Sequence, residues 1–185
     1  MVSIVTHDGN RPTGLKHLLA EIETIKGCSV EPPNGESVAV AAHHQIPDDL
    51  RELHRLCARI RLHKGTHYPW SVSGPSDLVP AGPLLLTPEE AARASSESPL
   101  DPVNSCYVIA RDSPDRVSGQ WVVVDLHPER TGRCCLTAWD TFGLVDEMPI
   151  VATSVRQLLQ WLLCLAGDNP MAHLPALGDA YDAIG

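Results

Sequence analysis

The stretch WVVVDLHPERTGRCCLTAWD, Trp121 to Asp140, carries a long apolar run that breaks on an aspartate and then a histidine. A strand turns successive side chains to opposite faces, so Trp121, Val123, Asp125 and His127 share one side. Two chemistries fit that alignment. A carboxylate beside an imidazole is the base-and-orienter half of a catalytic site. Alternatively, Asp125 closes the strand by accepting backbone N–H bonds from HPERTG, a turn bent by Pro128 and Gly132. The turn reading is preferred, because no nucleophile accompanies the pair and Ser118 lies in a turn one strand earlier. No catalytic residue is therefore assigned, and Asp125 and Gly132 are expected to be structural. A small hydrolase using Asp125 and His127 is the rival reading.

Working outward, three strand-like runs adjoin one another: Cys106–Arg111, Gln120–Leu126 and Arg133–Asp140. The links DSPDRVSG and HPERTG are too short for a crossover helix, so the strands should be antiparallel neighbours with Gln120–Leu126 between the other two. Helices are expected over 12–26, 46–60 and 154–166. Asp49 and Glu52 have capping-box spacing in the second helix, Ser154 and Gln157 in the last, which Gly167 stops. Ser37 to Ala42 reads as a short strand. From 63 to 104 the chain is rich in proline and serine and reads as an insertion. Within it Leu84 to Leu86 reads as a strand, followed by a helix capped by Thr87 and Glu90, with loops on either side. The tail 168–185 is weakly patterned. The order gives one α+β domain over 1–185, an antiparallel sheet with helices packed on one face.

The totals narrow the function. A net charge of −9 over 185 residues disfavours nucleic acid, whose binding depends on neutralising phosphates, and favours a basic partner. No apolar run is long enough to span a membrane, and the first residues lack signal-peptide character, so a cytoplasmic address is expected. The six cysteines form no CxxC pair and are expected free and unmetallated. His63 and His67 cannot share a helix face in HKGTHYP, and His43-His44 has no acidic or cysteine partner nearby, so no metal is assigned. The phosphate-loop, dinucleotide, nucleophile-elbow and HExxH motifs are absent, and no cofactor is implied.

Four segments in order complete the pattern: IPDDLRELHRLC (46–57), LLLTPEEAARA (84–94), WVVVDLHPERTGR (121–133) and VATSVRQLLQWLL (151–163). Together they resemble the SUKH superfamily, the Smi/Knr-type domain, from about Leu15 to Leu165. The resemblance implies an α+β fold and non-enzymatic work. Bacterial members are mostly immunity proteins that bind and neutralise toxins, often nucleases, and fungal relatives regulate cell-wall assembly. On that reading Asp125 and Gly132 match a structural strand-end turn. The expected partner is a basic toxin, with a regulator of a cellular protein as the alternative; the oligomeric state is left open. Candidate contacts are Asp112 and Asp115 before the central strand, and Asp140, Asp146 and Glu147 after the third. Tyr68 and Trp70, in THYPWSVSG, would be aromatic anchors, unless Trp70 serves only to pin its own loop.

Overall fold

The computed structural model describes residues 14–98, 100–113, 115 and 117–182. A seven-stranded antiparallel sheet follows the chain order without a crossover. Its strands are β1 (Ser29–Glu31), β2 (Arg59–Leu62), β3 (Trp70–Val72), β4 (Cys106–Arg111), β5 (Gln120–Asp125), β6 (Cys134–Ala138) and β7 (Ile150–Ala152). The expected meander is present: β5 lies between β4 and β6 and pairs antiparallel with both. The helices are α1 (Leu15–Thr24), α2 (Asp48–Leu56), α3 (Gly82–Leu85), α4 (Pro88–Glu97) and α5 (Val155–Leu165). Residues 12 and 13 of the expected first helix lie outside the described residues.

Strand alternation sorts the core into two layers. Tyr107, Ile109, Val122, Val124, Cys134 and Leu136 face the apolar stripes of α1, α2 and α5. Cys106, Val108, Trp121, Val123 and Cys135 face the other way. That second layer is closed by α3, by Phe142 and Met148, and by Ala180 and Tyr181 of the tail. The sheet is thus covered on both faces along β4–β7. Packing on one face holds for α1, α2 and α5 but not for α3, whose Leu85, with Ala81 just before it, buries in the second layer.

Several expected elements take another form. The helix beginning near Ile46 stops at Leu56, and Arg59–Leu62 alternates with period two and joins the sheet as β2. Gly74 makes this change of direction possible, since a Cβ there would lie 1.7 Å from the Ala58 carbonyl oxygen. Residues 37–42 are not a strand; Val38 and Val40 pack half-buried against the first layer outside the sheet, whose edge is formed by β1. The run Leu84–Leu86 is not a strand either. Pro83, within the first turn of α3, suits helix initiation, and Leu85 alone of the three leucines is fully buried. The Thr87–Glu90 capping box of α4 forms as expected. Asp49 acts differently from its sequence reading. Its carboxylate accepts the backbone N–H groups of Val155 (2.7 Å) and Arg156 (3.2 Å), capping α5 from a distant part of the chain.

Candidate functional site

The register assigns every connection to one end of the sheet or the other. Leu62 pairs with Trp70, Ser71 with Arg111, Arg111 with Trp121 and Gln120 with Ala138. The 63–69 loop, the 112–119 hairpin tip and the 139–149 loop therefore emerge side by side at one end. Each is about 10 Å from the next, two interstrand spacings. The 126–133 turn and the chain leading through α3 and α4 lie at the opposite end.

At that opposite end Asp125 is 3 % and Arg130 5 % exposed. One Asp125 oxygen accepts the Arg130 Nε–H at 2.6 Å. The other accepts the Ser105 hydroxyl at 2.7 Å and the His127 backbone N–H at 2.8 Å. Arg130 also donates to the Leu100 carbonyl at 3.1 Å, joining the turn to the segment between α4 and β4. Gly132, at φ +90°, donates its N–H to the Asp125 carbonyl at 2.9 Å. The imidazole of His127 makes no hydrogen bond to this carboxylate among the described residues; its Nδ1 accepts from the Glu129 N–H at 3.3 Å. Ser118 lies at the other end, donating to Asp115. The aspartate is thus bound to a guanidinium, a hydroxyl and a backbone amide, not to an imidazole. Sequence reasoning missed Arg130, because an arginine five residues away inside a polar turn looks like solvated surface.

The same end holds two histidines kept short of protons. His44 Nδ1 lies 3.1 Å from the Tyr107 hydroxyl, and burial, then the neighbouring His43, holds its pKa below the ordinary value. His54 shares Nε2 with the Ser73 carbonyl at 3.3 Å, and burial depresses it despite that bond.

The other end is where the sequence-nominated contact residues gather, with one correction. Trp70 is not a loop anchor. It lies in β3 at 1 % exposure, facing the first core layer beside Leu62. Prolines and glycine on either side hid a three-residue strand whose Trp70–Val72 alternation is the only signal. Tyr68 is half-buried in the adjoining loop. Asp112 is half-buried and clasps its own hairpin, accepting the Gln120 N–H at 2.7 Å; burial raises its pKa. Asp115 is exposed but accepts from Ser118 and the Val117 N–H, and the Ser118 hydroxyl chiefly lowers its pKa. Asp140, Asp146 and Glu147 are exposed. Among the described residues their carboxylates have no hydrogen-bond or ion-pair partner.

A second surface lies where β2–β4 are left uncovered, a cleft of about 440 Å³ containing Arg59, Arg61, Lys64 and Arg111. Most of this charge is already matched. Arg59 pairs with Asp77 and Arg61 with Glu31, while Arg111 stacks over Trp121 at 5.7 Å. No helix among the described residues is long and apolar enough to cross a membrane.

No protein-family model matches the chain, and no solved structure matches it. The chain is 27 % identical over 174 residues to immunity protein YokJ of Bacillus subtilis strain 168, covering 90 % of this chain and 95 % of that protein.

Proposed function

We propose that this protein is an immunity protein of SUKH type, which binds a protein toxin and neutralises it by occupancy rather than by chemistry. The observation that carries the reading is the similarity to YokJ, which runs through nearly the full length of both chains rather than one motif. The arrangement around Asp125 agrees with it, since the only buried carboxylate–cation pair among the described residues ties the 126–133 turn to the Leu100 carbonyl and so serves the fold. The net charge of −9 favours a basic toxin, a nuclease being one such class.

An acidic inhibitor gains from a basic enzyme in two ways: long-range attraction speeds encounter, and charge complementarity rejects wrong partners. The test is growth of cells producing the toxin domain encoded beside this chain's gene, with and without the chain. Protection together with a stoichiometric complex supports the reading. Killing that the chain does not relieve would end it.

A further inference from the structure

We propose that the ledge formed by the β6–β7 loop is the surface that seats the basic partner, with Trp139, Leu144 and Val145 as its apolar centre and Asp140, Asp146 and Glu147 as its rim. This rests on the immunity reading above and assigns it a place on the molecule. Trp139, Leu144 and Val145 are 41 %, 52 % and 62 % exposed, although Thr137 and Ile150 on the flanking strands are buried. Isolated exposed apolar residues are ordinary, but three large ones in a single loop are not.

The loop is held rather than slack. Phe142 and Met148 are buried in the second core layer at either side of the exposed pair. The Ala138 N–H donates to Thr141 Oγ1 at 2.9 Å, the Phe142 N–H to the Ala138 carbonyl at 3.0 Å, and the Met148 N–H to Asp179 at 2.8 Å. Gly143, at φ +88°, lets the backbone close down on Val103. Leu144 and Val145 are thereby fixed facing outward, so binding would not have to order them, which removes a cost that flexible loops carry.

Charge selects the occupant. No lysine or arginine stands between Arg133 and Arg156, and the rim carboxylates are unpaired among the described residues. An apolar centre with an acidic rim complements a basic protein surface that has an apolar pocket. A second copy of this chain fits poorly, because a two-fold contact would set the same carboxylates against each other.

The experiment measures binding of the neighbouring-gene toxin domain, catalytically silenced, to the full chain and its variants. Trp139→Ala should weaken binding about 30-fold, mainly through faster dissociation, as for a central aromatic anchor. The triple change Asp140→Asn, Asp146→Asn, Glu147→Gln should slow association and flatten its salt dependence. Leu100→Ala, equally exposed at the opposite end, should stay within about twofold, as for an apolar side chain outside the interface. Urea midpoints matching the parent protein exclude misfolding as the cause. If the parent binds while Trp139→Ala and Leu144→Ser/Val145→Ser both stay within about twofold, a loss too small for a central anchor, the ledge is not the surface and the immunity reading survives. If the parent does not bind the domain, the immunity reading falls and takes the ledge with it. A concentration-dependent dimer that Trp139→Ala abolishes would make the occupant a second copy and overturn the assignment.

Discussion

Asp125 and Asp140 stand near opposite ends of the β5–β6 hairpin, and the same side chain meets opposite fates there. Asp125 is buried against Arg130, Ser105 and a backbone amide. Asp140 is exposed beside Trp139, with no partner for its carboxylate among the described residues. A buried carboxylate must be satisfied within the fold, because desolvation of an unpaired charge costs several kcal/mol. An exposed one is satisfied by water and can exchange that water for a partner. One end of the sheet is therefore closed by internal pairing, and the other keeps solvated carboxylates, as the proposed binding ledge requires.

The largest expected effect breaks the closed end. Asp125→Ala should destabilise the protein by about 3–5 kcal/mol, the range for stranding one member of a buried pair. That exceeds the cost of a lost turn bond because Arg130 is left charged and dry. Urea denaturation measures it, and Arg130→Met added to Asp125→Ala should restore part of the loss. A cost of a few tenths of a kcal/mol would show that the pair is hydrated in solution and erase the contrast between the ends.

Next in size is Asp49→Ala. It removes the acceptor for the first N–H groups of α5 and should cost about 1–2 kcal/mol, as for other helix caps. A Tm unchanged by the substitution would mean that Ser154, which accepts the Gln157 N–H at 3.2 Å, caps the helix unaided.

Acid should also act on the closed end. His44 and His54 have folded pKa values held below the unfolded value by burial. The folded state then binds fewer protons than the unfolded chain. Stability is greatest above the unfolded pKa of about 6.5 and is lost as pH falls from there toward the depressed folded values. Hydrogen exchange at mildly acidic pH should accelerate first around Ser73, Tyr107 and the 126–133 turn. Acceleration led instead by the 139–149 loop would reverse the assignment of the labile end.

The smallest effect on stability belongs to the open end. Neutralising Asp140, Asp146 and Glu147 together should shift unfolding by no more than about 0.5 kcal/mol, as for exposed positions without partners. A larger loss would show that these carboxylates serve the fold, and would weaken the case that they are held for a partner.

Much of the sheet was legible in the chain. The β4–β5–β6 meander followed from strand alternation and from links too short for a crossover, both local properties. The boundaries of α5 and the capping box of α4 were equally local. The open end was half legible: Asp140, Asp146 and Glu147 stood out as acids, but Trp139 fell inside the expected strand Arg133–Asp140, whereas β6 ends at Ala138 and leaves it exposed, and nothing marked Leu144 and Val145. In sequence they look like Trp121 or Leu136, and whether an apolar residue is buried depends on what covers it.

The sequence by itself determined the α+β class, the antiparallel hairpins, the long helices and the acidic charge, because periodicity, turn chemistry and composition act within a few residues. Only the tertiary structure decided that Trp70 is core, that Asp125 belongs to Arg130, that Asp49 caps α5, and that three loops far apart in the chain share one end of the sheet. Each of those depends on which distant surfaces meet. Burial and charge pairing are properties of that meeting, and no local pattern encodes them.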